Sequence, residues 1–435
     1  MFYECKLPKG FHLSDFDTSN VKDMSAMFRG CKFPAGFSLG DKFDTSNVED
    51  MSVMFRGCKF PAGFSLGDRF DTSNVEDMCA LFYDCKFPSG FTLGGKFDTS
   101  NVEDMRYMFA QCEMPIGFTL GERFDTSNVG NMCAMFMGCE MPIGFTLGER
   151  FDTSNVKYMD SLFHGCKFPL GFTLGDKFNT SNVTDMHSMF QECKMPIEFS
   201  LGDKFNTSNV TDVQEMFMGC EMPPSFTLGN QFDTSNVKRM DSLFRGCKFP
   251  DGFTLGDKFD TSKVTDMSCM FFDCKFPEGF TLGEKFVTTR ALRHTVYMFG
   301  KCKFNNDFYL EKSFKPRNVY GDGPMFTQCS MPGNWSDRCA STESIISWLQ
   351  RQKYIIFGKK MHYKGSMGSF WYDPRNFEVC HYNLDGVYHD YLHYVGEGAS
   401  VNLPEGCIST RRMFWNCELP EGFQLVDFDL SLIHI

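Results

Sequence analysis

The chain has 435 residues, a formal charge of −12 and a pI near 5.3, a balance that excludes nucleic acid as an expected partner. No apolar run reaches the length of a membrane-spanning helix, so no membrane span is expected, and no secretory signal opens the sequence. Phe is present 51 times, Met 29 and Cys 20, and the placement of the cysteines argues against an oxidised, disulfide-stapled scaffold.

From the N-terminus onward the sequence repeats itself. Cys31, Cys58, Cys85 and their successors to Cys274 stand 27 residues apart. Cys302 and Cys329 carry the series on, while the motif around them decays. The phrase TSNV recurs from Thr18 to Val237, becomes TSKV at Thr261, and gives way to Thr288-Thr289-Arg290 and then Pro316-Arg317-Asn318-Val319. Such periodicity predicts a repeat array, in which each unit completes its core only against its neighbours.

Within one unit, Phe37-Ser38-Leu39 alternates apolar and polar between Gly36 and Gly40, which predicts a short strand. Thr45-Ser46-Asn47 offers three candidate N-caps, and Ser46 with Glu49 forms a capping box repeated at Ser73 with Glu76 and Ser100 with Glu103. Val48, Met51, Met54, Phe55 and Cys58 then follow at helical spacing. Stacking such units aligns identical residues in columns, for example Phe37 on Phe64 on Phe91. The expected fold is therefore α/β: a solenoid of 27-residue repeats, with a parallel β-sheet on one face, short helices on the other, and one non-repeat interruption.

The run F-D-T-S-N-V-x-D-M-x-x-M-F-x-x-C resembles the repeat of BspA-like leucine-rich-repeat surface proteins. It extends over residues 1 to about 330 and returns at 413–429. The resemblance implies a leucine-rich-repeat-type solenoid and a role at the cell surface in adhesion or host contact. The chain departs from the family in using Phe where Leu is frequent and in its glycine-flanked strand.

Met1-Phe2-Tyr3-Glu4-Cys5 matches Met54-Phe55-Arg56-Gly57-Cys58, so the array is expected to begin within a repeat, with sequence upstream. The expected organisation is repeats over 1–330, an aromatic-rich inserted module or diverged repeat pair over 331–400, and a resumed repeat over 401–429. The final hexapeptide 430–435, Leu-Ser-Leu-Ile-His-Ile, is what a common transposase sequencing adaptor encodes and is read as adaptor-derived. Inside the interruption, Ser341 to Gln350 reads as a helix, and Phe377 to Tyr382 with Val387 to Val395 as a hairpin around Asp385-Gly386.

Several residues are of types that can carry chemistry. His389-Asp390-Tyr391-Leu392-His393 has the spacing of a zinc-protease helix but lacks its Glu and reads as a strand, so no metal, cofactor or catalytic residue is expected. The column cysteines do not converge as metal ligands and are expected as small buried thiols. Asp44, Asp50 and Asp68 repeat with the unit beside Lys42 and Arg69, and capping and solvation are favoured over calcium binding. The chain is therefore expected not to be an enzyme.

Two places remain for binding. Thr92, Thr119, Thr146, Thr173, Thr227, Thr254 and Thr281, with Ser38, Ser65 and Ser200, make one hydroxyl column on the strand. Trp348, Trp371 and Tyr372 provide large anchors in the interruption. The expected function is recognition or adhesion at the cell surface or after secretion, with a protein or glycan ligand. The alternatives are an intracellular scaffold for protein–protein interaction and a binder of a repetitive ligand through the hydroxyl column.

Overall fold

The computed structural model describes residues 1–304 except His12, Ser14, Asp15 and Arg290, and the backbone of six short strands between residues 361 and 425. The chain divides into two units, Met1–Asn236 and Val237–Ile435.

In the first unit, equivalent residues of successive repeats are joined by parallel bridges. One line runs Lys32, Lys59, Lys86, Glu113, Glu140, Lys167, Lys194, Glu221, and a second runs Asp23, Asp50, Asp77, Asp104, Asn131, Tyr158, Asp185, Asp212. The repeats are therefore stacked in register, as the column argument requires.

The segment between the two lines differs from the expected helix. Residues 51–58 form successive turns, and the described part of residues 1–304 contains no helix. Their N–H groups divide between two destinations. Those of Met51, Val53, Phe55 and Gly57 donate to Asp77, Cys79, Leu81 and Tyr83 of the next repeat, at 2.7–3.0 Å. Those of Met54, Arg56 and Cys58 donate three residues back, to Met51, Val53 and Phe55. Ser52 N–H donates to Asp50 Oδ1 at 2.7 Å. Every N–H from 51 to 58 thus has a partner, and about half bind the neighbouring repeat rather than the residue four back.

The geometry requires a left-handed backbone at the third residue of each turn run, as at Val53 (φ 51°), Ala80 (φ 52°) and Tyr107 (φ 57°). Left-handed geometry costs a non-glycine residue about 1–2 kcal/mol. The bonds gained to the next repeat, about 1 kcal/mol net each, offset it. Spacing alone suggested a helix because the buried residues Val48, Met51, Met54, Phe55 and Cys58 occupy helix-like intervals in either conformation.

The expected strand keeps its alternation: Phe37 and Leu39 are buried and Ser38 is exposed. It carries no bridge of its own, however, so the parallel pairing lies beside the turn segment instead. The Phe columns form as expected. Phe37, Phe64, Phe91, Phe118, Phe145 and Phe172 stack with centroids 6.2–6.5 Å apart. The Phe55 column, next to the hydrogen-bonded turns, is tighter: Phe55, Phe82, Phe109 and Phe136 are 5.7–5.8 Å apart.

The second unit uses the same chemistry internally. Arg239, Asp266 and His294 form one parallel line, and Lys248, Lys275 and Lys303 the other. The step from Asp266 to His294 is one residue longer than the usual repeat, so Cys302 keeps its buried place with 28 residues rather than 27 after Cys274. Further on, β1 (Met361–Gly365) pairs antiparallel with β2 (Gly368–Tyr372). β3 (Phe377–Leu384) pairs antiparallel with β4 (Val387–Val395), with Leu384 opposite Val387, which is the expected hairpin. β5 (Ser400–Val401) pairs in parallel with β6 (Gln424–Leu425). The helix expected at 341–350 lies outside the described residues.

Candidate functional site: the repeated polar rows

By sequence the motif TSN offers a choice of helix caps. Its three residues instead have separate tasks, those of Thr and Asn reaching other repeats. Thr99 is fully buried; its Oγ1 donates to Asp125 O at 2.7 Å and accepts from Asp125 N–H at 2.8 Å. Ser100 N–H donates to Asp98 Oδ1 at 3.0 Å. Asn101 Nδ2 donates backward to Ser73 O at 2.6 Å. Cys112 Sγ likewise reaches back to Phe82 O, at 2.9 Å.

The column cysteines from Cys31 to Cys302 are buried and form no disulfide. Burial pushes the Cys58 and Cys139 thiols up to about 12, so they are poor nucleophiles near neutral pH.

The aspartates accept hydrogen bonds within turns rather than at helix starts. Hydrogen bonds from Ser46 hold the Asp44 carboxyl below its usual range. Arg69 of the next repeat pairs with Asp44 at 3.2 Å, and Lys96 with Asp71 at 3.3 Å. Successive carboxylates are thereby neutralised by cations one repeat on.

Among the described residues of the first unit, two of the polar rows that reach solvent are candidates for binding. The hydroxyl column is the first: Thr92, Thr119, Thr146, Thr173, Ser200 and Thr227 are exposed, each between a buried Phe and a buried Leu. In the second unit Thr254 has the same setting between Phe253 and Leu255. The second row was not anticipated. Asn47, Asn74, Asn101 and Asn128 alternate with Glu49, Glu76 and Glu103 along a surface groove of about 620 Å³. Lys22 lines one end and pairs with Glu49 at 2.6 Å. The signal was present in the sequence, since Asn and Glu recur two residues apart in the same repeats. Reading Glu as half of a capping box concealed it.

The two sets of predicted binding residues stand apart in sequence and in how far they are described. Trp371 and Tyr372 fall in β2, at the register positions opposite His362 and Met361. His389 and His393 fall in β4, in keeping with the strand reading of that segment. Trp348 lies outside the described residues.

Stacked repeats with continuous polar rows define a tandem-repeat protein whose unit is 27 residues. The family model described as "Mycoplasma protein of unknown function, DUF285" matches residues 1–114, 64–142, 87–168, 120–223, 145–248 and 224–335, and the chain belongs to that family. No curated protein and no solved structure matches the chain. Among the described residues no helix is long and apolar enough to cross a membrane.

Proposed function

We propose that the chain is a non-enzymatic recognition or adhesion protein of the BspA-like, leucine-rich-repeat type, acting at the cell surface or after secretion on a protein or glycan ligand. The observation that carries this reading is the hydroxyl column, in which Thr92, Thr119, Thr146 and Thr173 face solvent on consecutive repeats. Such a row presents the same small hydrogen-bonding group at every repeat, which suits weak, multivalent contact with a ligand that is itself repetitive. It supplies none of the Trp, Tyr or Arg anchors on which tight protein interfaces depend. Those anchors belong to the interruption, and Trp348, Trp371 and Tyr372 are assigned to any tight protein partner.

The test is a glycan and protein binding screen with three proteins: the parent, a Thr119→Ala/Thr146→Ala/Thr173→Ala variant, and a deletion of 335–400. Weak, density-dependent binding lost only in the threonine variant supports the row. Tight binding lost only in the deletion supports the aromatic anchors. Binding unaffected by either change overturns both assignments.

A further inference from the structure

Four consecutive repeats of the first unit expose a large aliphatic side chain at the same position. Ile116 is 86% exposed, Ile143 84%, Leu170 73% and Ile197 59%. The equivalent residues before and after this run are Ser89 and Pro224. Each aliphatic residue follows Pro in a turn closed by the next Phe: Phe118 N–H to Pro115 O at 3.1 Å, Phe145 to Pro142 at 3.0 Å, Phe172 to Pro169 at 3.2 Å and Phe199 to Pro196 at 3.0 Å. These Phe side chains are buried, so the turns are anchored from beneath and the aliphatic side chains stand out as a ridge. A contiguous exposed apolar row marks an interaction surface more often than a solvated one.

The charges beside the ridge identify its occupant. Three residues before each ridge position lies the bridge line, which here reads Lys86, Glu113, Glu140, Lys167, Lys194, Glu221. Three residues of chain span at most about 11 Å, so these charges flank the ridge. Reversed about a point between Glu140 and Lys167, the series is its own complement. Lys86 meets Glu221, Glu113 meets Lys194, and Glu140 meets Lys167. The same operation places Ile143 on Leu170 and Ile116 on Ile197, and the repeat spacing matches itself. We propose that a second copy of this chain docks antiparallel on the Ile116–Ile143–Leu170–Ile197 ridge, across a two-fold axis between Ile143 and Leu170.

The opposite arrangement, with the axis along the stack, would carry the second copy's charge row to the far side of the ridge and leave neither row a complementary partner. Within one copy Glu140 already pairs with Lys167 at 2.7 Å, and Lys86 with Glu113. These pairs are exposed and can be shared across the axis. Four aliphatic side chains present roughly 500 Å² per copy, short of the ~800 Å² of a standard stable interface. The dimer is therefore reversible and concentration-dependent.

Sedimentation equilibrium of the full chain from about 1 to about 100 µM, the range of weak association, reads the monomer–dimer equilibrium directly. Ile143→Ser with Leu170→Ser should abolish the dimer while leaving the far-UV spectrum unchanged. Glu140→Lys should weaken it about tenfold, by placing like charges at both symmetry-related pairs. Adding Lys167→Glu should restore the parental constant, because the exchanged charges again oppose. A chain that stays monomeric throughout overturns the proposal, as does a dimer that survives the serine substitutions. A double exchange as weak as Glu140→Lys alone overturns the antiparallel pairing and points to a different partner for the ridge.

Discussion

Thr99 and Thr119 belong to neighbouring repeats, and the regions around them contrast throughout. Around Thr99, the side chains of Thr99 and Asn101 bond adjacent repeats: the hydroxyl bonds Asp125 in both directions, and Asn101 reaches back to Ser73. Around Thr119, the side chains between the buried Phe118 and Leu120 and in the preceding turn face solvent. The first region barely changes from repeat to repeat. The turn position changes freely, from Ala35 to Ser89 to Ile116 to Pro224. Repetition is kept where a residue must match its own copy above and below, and it lapses where only solvent or a partner is met.

The largest effect that can break this contrast lies in the core. Phe145→Ala removes a fully buried ring from the middle of its column and should cost about 3–5 kcal/mol in urea unfolding. Phe11→Ala, at a partly exposed ring near the first repeat, should cost clearly less. Equal losses would refute stability that depends on neighbours on both sides.

The threonines themselves give a matched pair. Thr99→Val strands the N–H and C=O of Asp125 and should cost about 1–3 kcal/mol. Thr119→Val should stay within about 0.5 kcal/mol, since its hydroxyl faces water. Comparable losses at the two sites would mean that the buried bonds contribute little.

In the second unit, Asp241 tests burial without full compensation. Its side chain is 15% exposed and 3.3 Å from Arg239, and burial, with Asp266 nearby, raises its carboxyl to about 6. The raised value means that the folded state holds the proton more tightly than the unfolded one. Stability from this group is therefore full below about pH 4 and falls as pH rises to about 6. Asp241→Asn should raise stability above pH 6 by about 1 kcal/mol after solvent screening, and should change little at pH 4. A stability difference that does not vary with pH would exclude the burial argument.

The smallest effect is decisive in sign. Ser161 sits at a left-handed position, φ 57°, in the segment first expected to be helical. Ser161→Gly should stabilise by about 1 kcal/mol if the turn ladder is right. In a helix interior the same change would destabilise by a similar amount. Thermal unfolding of this one variant separates the two conformations.

The repeat length, the Phe columns, the buried thiols and the hairpin at β3 and β4 were all legible in the sequence. Each follows from spacing and side-chain character, and neither changes with the exact backbone path. Residues 51–58 were misread because an apolar spacing of three and four fits both a helix and a run of turns. The choice between them rests on where the N–H groups of Met51, Val53, Phe55 and Gly57 go, and their acceptors belong to the next repeat. The Asn–Glu groove was hidden for the same reason, since its members come from four repeats and meet only when these stack. By itself the sequence determined that like residues would align, because a unit of this size completes its core only against its own copies. Only the tertiary structure decided which backbone bonds the aligned repeats exchange and which side chains emerge as continuous rows, because both depend on partners one repeat away.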